Sequence, residues 1–296
     1  MRPFEITVLS GKGGTGKTTF CASFIALASP DAVSTDLDVD ASNLPILLKT
    51  SEIDREPFSG MDLAVIDPEK CTECGICRSS CRFGAIDEEI NIIKDRCEGC
   101  GVCRIVCPCG AVELVPRKDG DLLVSETRFG TMVHSDLRPG GEGSGKLVSL
   151  IRRKARSLAE TERRSLIISD GPPGLGCPVI SSLTGSDLAV IVTEPSISGR
   201  TDLIRILDLC DHFKVQSAVI INKYDIDNAA AREMETIVTG SGSEVIGKIP
   251  FDMSVFDSLS EGKTVVEFDG CPISGKLIEI WDRIRDRYIN ASPDVS

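Results

Sequence analysis

Apolar runs of strand length recur along the 296-residue chain: ITVLS, VSTDL, LIISD, LAVIVTE, AVIINK and EVIGKIP. Several are near-continuous in Val, Ile and Leu, the pattern of parallel strands covered on both faces by crossover helices. Between them the apolar spacing lengthens to the helical period. One helix is predicted to open at Gly16, and others to span roughly 145–160, 199–213, 227–239 and 272–288. Strands alternating with helices predict a doubly wound, mostly parallel α/β sheet. The segment 120–145 reads as a short hairpin followed by a glycine-rich loop, with His134 and Lys146 in solvated loop rather than at a ligand. The last helix carries Leu277, Ile280, Trp281, Ile284 and Tyr288 along one face and is not polybasic, so docking on its own domain is expected over membrane anchoring.

One stretch interrupts the alternation. Nine of the thirteen cysteines lie between Cys71 and Cys109, and Cys21, Cys177, Cys210 and Cys271 are scattered. The first strand and its glycine loop precede this block and most strands follow it, so the block reads as an insertion. The expected organisation is 1–66 and 118–290 as two parts of one α/β domain, 67–117 as the insert and 291–296 as a flexible tail. A composition of 41% hydrophobic and 26% charged residues is that of a globular protein. No run approaches the roughly 18 apolar residues of a membrane span, and the N-terminus enters a strand directly, which predicts a cytoplasmic protein without stable membrane insertion. In that compartment clustered cysteines mean metal or redox chemistry. A net charge of −12 repels a phosphate backbone, so a protein partner is expected and nucleic acid is not.

The octet Gly11-Lys12-Gly13-Gly14-Thr15-Gly16-Lys17-Thr18 fits G-x-x-x-x-G-K-[ST] between a strand and a helix that continues with Thr19. Such glycines let successive N–H groups turn inward around phosphates, and the helix N-terminus adds its positive dipole end. Lys17 is expected to bridge the β- and γ-phosphates and the Thr18 hydroxyl to ligate Mg²⁺. A carboxylate at the end of a second buried strand, LIISD, places Asp170 where it would hold a Mg²⁺ water, and Gly171 to Gly174 follow as a switch whose Gly174 amide would sense the γ-phosphate. In Asp36-Leu-Asp-Val-Asp40, any of three carboxylates can orient a water.

The extra Lys12 makes KGGTGKT resemble the deviant Walker A motif of the MinD, ParA, Mrp and nitrogenase iron protein superfamily. The resemblance covers nearly all of the chain outside the insert and implies an ATP-dependent homodimer in which Lys12 reaches the partner's nucleotide. By family position Asp38 is the hydrolytic aspartate, with Asp36 and Asp40 as alternatives. Asn222-Lys223-Tyr224-Asp225 looks superficially like the guanine-reading NKxD. In the resembling ATPases an asparagine there contacts adenine, helped by the segment around Pro250, which favours ATP.

Cys71-x2-Cys74-x2-Cys77-x3-Cys81 is followed after fifteen residues by Cys97-x2-Cys100-x2-Cys103-x3-Cys107-Pro108. This doubled run resembles bacterial two-cluster ferredoxins, in which three close thiolates grip one 4Fe-4S cube and the fourth reaches the other. That implies Cys71, Cys74, Cys77 and Cys107 on one cube and Cys97, Cys100, Cys103 and Cys81 on the second. Two structural zincs are the rival, but zinc sites pair their cysteines and runs of three do not suit pairing. Arg82 stands where proline usually follows the fourth cysteine, and Cys109 has the spacing of a spare thiol. Cys21 and Cys210 read as core, and Cys271 has no evident partner. Cys177 follows Asp170 at the offset of an intersubunit cluster ligand in the nitrogenase iron protein, though a buried structural role is favoured. The whole chain resembles MinD-type ATPases with an inserted ferredoxin domain. That implies ATP-gated electron transfer to or from a redox or metallocofactor partner protein, with an Fe-S assembly factor and a redox-sensing positioning ATPase as alternatives.

Overall fold

The computed structural model describes residues 2–138 and 145–291, so the glycine-rich segment 139–144 and most of the expected tail lie outside the described residues. The chain forms two compact units, one from residues up to 55, 122–135 and 145 onward, the other from 56–121 and 136–138.

In chain order, β1 (Phe4–Ser10) leads through the glycine loop into α1 (Lys17–Ala28) and back to β2 (Ala32–Asp36), followed by α2 (Leu44–Leu48) and β3 (Ser51–Phe58). The cysteine block holds β4 (Asp62–Ile66), α3 (Ile76–Ser80), α4 (Val102–Val106) and β5 (Val112–Pro116). Next come β6 (Gly120–Thr127), β7 (Gly130–Leu137), α5 (Gly145–Glu162), β8 (Leu166–Pro173), α6 (Cys177–Leu183) and β9 (Leu188–Thr193). The chain closes with α7 (Ile197–Phe213), β10 (Gln216–Asn222), α8 (Asn228–Gly240), β11 (Glu244–Ile249), α9 (Ser254–Ser260) and α10 (Pro272–Ile284).

Nine strands form one sheet in the order β11-β10-β9-β1-β8-β2-β7-β6-β3. The pairs from β11 through to β7 are parallel. Every residue of β1 and β9 is buried, which is why these strands read as continuous apolar runs rather than alternations. The period of two still sorts them: Leu188, Val190 and Val192 join the core under α1 and α10, whereas Ala189 and Ile191 join the core under α7 and α8. At the sheet edge, Ser51 to Pro57 are all exposed, and Glu52, Asp54, Arg55 and Glu56 discourage pairing with another strand.

Two expectations are corrected here. The hairpin is present but not short: β6 and β7 are eight residues each and extend the main sheet beside β2. His134 is accordingly not in solvated loop but buried in β7, with Nε2 2.9 Å from the Ser125 hydroxyl, because its strand is covered. Lys146 is exposed on the first turn of α5. The last helix ends at Ile284 and is followed by one π-helical turn to Ile289. Its apolar stripe is buried, with Trp281 stacked on Phe24 at 5.7 Å between ring centroids.

In the second unit β4 and β5 pair antiparallel, Asp62 opposite Pro116 and Ile66 opposite Val112. Its core is small, with Ala64, Ala85, Cys97 and Val112 buried and Ile92, Leu114, Cys81, Cys103 and Cys107 packed around them.

Candidate functional site

The glycine loop turns tightly after β1. Gly16 has φ 96°, and a Cβ there would stand 2.7 Å from the Asn222 amide nitrogen, so both backbone angle and space demand glycine. At Gly11 a Cβ would stand 2.0 Å from that of Asp202. The loop delivers Lys17 into a buried position, its ammonium 2.8 Å from Asp170 Oδ1 and 3.7 Å from Asp38 Oδ2. The Thr18 hydroxyl donates to Asp170 Oδ2 at 2.7 Å. Burial pulls the Lys17 pKa down, but the charge and hydrogen bond of Asp170 outweigh it and hold the pKa above its ordinary value.

The three aspartates after β2 separate by environment. Asp36 lies opposite Asp170 in the parallel register and is fully buried. Burial, then the Asp170 charge, push its pKa up to about 8. Its carboxyl accepts from the Asp38 amide at 3.0 Å, the Ser42 hydroxyl at 2.8 Å and the Leu44 amide at 3.2 Å, clamping the loop that carries Asp38. Asp38 is half-buried beside Lys17, with its pKa raised by burial against the pull of that lysine. Asp40 is exposed.

Lys12 and Lys223 share one carboxylate. The Lys12 ammonium lies 2.7 Å from Glu194 Oε1 and 3.2 Å from the hydroxyls of both Ser196 and Ser198. Lys223 reaches Glu194 Oε2 at 3.0 Å and the Gly14 carbonyl at 3.2 Å. Burial raises the Glu194 pKa, but the two lysines outweigh it and hold it below the usual carboxylate range.

A cavity of about 410 Å³ opens beyond the loop, lined by Gly13 to Phe20 and by Asp38, Asn222, Pro250, Phe251 and Phe256 among others. Two expected contacts take different partners. The Asn222 carboxamide donates to the Thr15 carbonyl at 2.8 Å and accepts from the Lys223 amide at 2.9 Å, so it braces the loop at the cavity wall. The Gly174 amide donates to the Ser10 carbonyl at 3.1 Å, because β8 continues beside β1 to Pro173. Asp225 accepts from the Phe251 amide at 2.7 Å and thereby fixes the aromatic wall of the cavity.

In the second unit the cysteines gather as two sets. Cys81, Cys97, Cys100 and Cys103 line one apolar cavity with Phe83, Val102 and Ile92. Cys77 lies within electrostatic reach of Cys71 and Cys107. Both short helices, α3 and α4, start from a glycine in the left-handed region, Gly75 at φ 72° and Gly101 at φ 76°. Amide N–H groups point at the sulfurs of Cys71, Cys81 and Cys107 at 3.3 to 3.4 Å. Cys109 Sγ lies 3.6 Å from that of Cys107. Among the described residues no three His, Cys, Asp or Glu side chains converge as they would around a single metal ion. Of the scattered thiols, Cys21, Cys210 and Cys271 are buried, whereas Cys177 is exposed at the start of α6, against the expectation of a buried thiol. The end of a strand lifts it to the surface.

A strand–loop–helix phosphate site with its carboxylates on adjacent parallel strands is shared by a known family. Residues 6–265 match the CobQ/CobB/MinD/ParA nucleotide binding domain. The chain belongs to this family. As a MinD/ParA-type ATPase it is 31% identical over 285 residues to an uncharacterised protein of Methanocaldococcus jannaschii, covering 95% of the chain and 96% of that protein. It is 22% identical to the septum site-determining protein MinD of Neisseria meningitidis, covering 94% and 90%. Among solved structures it resembles Pyrococcus horikoshii MinD complexed with Mg-ADP, with a TM-score of 0.61 at 15% identity, covering 98% of each chain. The MinC:MinD complex of Aquifex aeolicus matches with a TM-score of 0.58 at 18% identity over 96% of each chain. At these identities the structures show the fold.

Within the MinD/ParA-type site, the expected Lys17, Thr18, Asp38 and Asp170 are brought together, and Lys12 stands apart on Glu194. Glu194 is missing from the expected set, and Asp36, expected only as an alternative to Asp38, instead clamps the Asp38 loop. Both are carboxylates at the ends of buried strands, a signal legible in VSTD and VTE.

Proposed function

We propose that this chain is a Mg²⁺-dependent ATPase whose nucleotide-bridged homodimer gates electron passage through two 4Fe-4S clusters, to or from a partner redox or metallocofactor protein. The observation that carries the redox part is that, of eight cysteines spaced as two equal runs, seven gather into two thiol sets within one small unit, Cys81, Cys97, Cys100 and Cys103 in one and Cys71, Cys77 and Cys107 in the other. These thiols fit cubes: each set mixes ligands from both runs, amides point at three of the sulfurs, and the surroundings are apolar. Cys71, Cys74, Cys77 and Cys107 would hold one cube, and Cys97, Cys100, Cys103 and Cys81 the other. When bound, each supplies storage for one electron.

For hydrolysis, Lys17 exchanges its Asp170 partner for phosphate oxygens, and Thr18 with Asp170 would hold Mg²⁺, which adds charge at the phosphates. Asp38, clamped through Asp36, orients the attacking water. Adenine is the base this reading takes, since Asp225, the position that reads guanine in NKxD, is not among the residues lining the cavity.

The relatives favour a second reading more directly, a positioning ATPase, because those named by role are septum site-determining proteins. Such a switch has no use for two grouped thiol sets. Anaerobic purification followed by iron, sulfide and EPR quantitation separates the readings. Gated transfer predicts about eight irons per chain in wild type and Cys177→Ser alike, and ATP-accelerated oxidation or reduction of a partner that is lost in Lys17→Ala and Asp38→Asn. Extra iron lost only in Cys177→Ser supports cluster delivery, and an iron-free chain that binds vesicles with ATP supports positioning.

A further inference from the structure

The second unit is asymmetric in its surface charge. Beside the first thiol set, Lys70 pairs with Asp67 at 2.9 Å and Arg78 pairs with Glu88 at 2.9 Å. Beside the second set stand Arg82, Arg96 and Arg104, each adjacent in sequence to one of its thiols, Cys81, Cys97 and Cys103. All three arginines are exposed, and among the described residues none of them pairs with a carboxylate. Three free guanidinium groups around one thiol set stand out in a chain of net charge −12.

Apolar side chains accompany them. Phe83 and Val102, 40% and 39% exposed, line the cavity of the second thiol set while also meeting solvent. Ile105, next to Arg104 on α4, is 81% exposed. Cys100 in that cavity is itself exposed. Glu98 lines the same cavity and Asp95 precedes Arg96, both exposed, so the three guanidinium groups leave the rim with a net positive charge rather than a purely cationic one. A small apolar surface with such a rim is the usual composition of a docking site for a carrier of opposite charge.

We infer that the face formed by Phe83, Val102 and Ile105 with Arg82, Arg96 and Arg104 is the port at which a small acidic electron-carrier protein docks against the second thiol set. The inference rests on the cluster reading above. One electron leaves the reduced carrier, which is oxidised by one electron, and enters the cluster held by Cys81, Cys97, Cys100 and Cys103, which is reduced by one. No bond breaks in this chain.

The test uses full-length, cluster-loaded protein and two reductants, a reduced acidic flavodoxin and the small anion dithionite, with bleaching of visible absorbance followed by stopped flow. Reduction by flavodoxin should slow with added salt. It should fall about tenfold in Arg82→Gln/Arg96→Gln/Arg104→Gln, the lower range of electrostatic steering, and also in Ile105→Asp. Reduction by dithionite and the iron content should not change. Arg104→Gln alone, at an exposed helical position, gives the same comparison if the triple variant loses iron. Unchanged flavodoxin rates in variants with full iron, or equal slowing with both reductants, would overturn the port. An iron-free wild type would instead overturn the cluster reading beneath it.

Discussion

At the scale of single residues, the nucleotide site depends on two buried carboxylates, Asp36 and Asp170, side by side on β2 and β8. Lys17 and Thr18 engage Asp170, while Asp36 accepts only from the Ser42 hydroxyl and two amides. Hence Asp36 carries the raised pKa of about 8. An unfolded aspartate titrates near pH 3.9. Between about pH 4 and pH 8 the folded nucleotide-free chain therefore binds a proton that the unfolded chain has released, so this group lowers stability as pH rises through that window and adds nothing further above it. Chemical denaturation from pH 5 to 8 without Mg²⁺ should show stability falling by at most about 1.4 kcal/mol per pH unit from this source, and Asp36→Asn should flatten the profile. The identity of Asp36 as a strand-end carboxylate is plain in the sequence. That it clamps the Asp38 loop is not, because its partners lie six and eight residues away along a loop whose path only the fold sets.

At the scale of elements, α1 is the hinge between chemistry and core. Its first turn holds Lys17 and Thr18, and further along Phe24 stacks on Trp281 of α10. Trp281 is 4% exposed in the same core as Ile6, Val8 and Val190. Trp281→Ala should cost about 3–5 kcal/mol, read as a lower urea midpoint, and weaken nucleotide binding only through loss of folded protein. The amphipathic stripe of α10 was readable from its spacing, since apolar residues at Leu277, Ile280, Trp281 and Ile284 fit one helical face. The elements the pattern missed, β3, α2 and α9, are five to eight residues long, and β3 is exposed along most of its length. β3 has no buried face to set an apolar period, and α2 and α9 are too short for their period to stand out, although Leu44, Leu47 and Leu48 of α2 are buried.

At the scale of the whole molecule, the two units differ in what holds them. The first buries two large apolar cores against its sheet, whereas the apolar cluster of the second has only four buried members among the described residues, one of them Cys97. So small a core does not stabilise a fold alone, and cluster ligation would supply the remainder. Chelation and oxidation of cluster-loaded protein should expose 56–121 to rapid hydrogen exchange while nucleotide binding persists; protection unchanged after full iron loss would show that the unit folds by burial. The sequence by itself determined the α/β sheet, the phosphate loop with Lys17 and Thr18, Asp170, and the grouping of the cysteines. Each depends on local spacing, and spacing is what a linear chain records. Tertiary structure decided that β6 and β7 widen the main sheet, that His134 is buried, that Asn222 braces Thr15, and that Lys12 rests on Glu194. Those contacts join residues 9 to 207 positions apart, and which of them meet is set by strand order and crossover packing rather than by any neighbour in sequence.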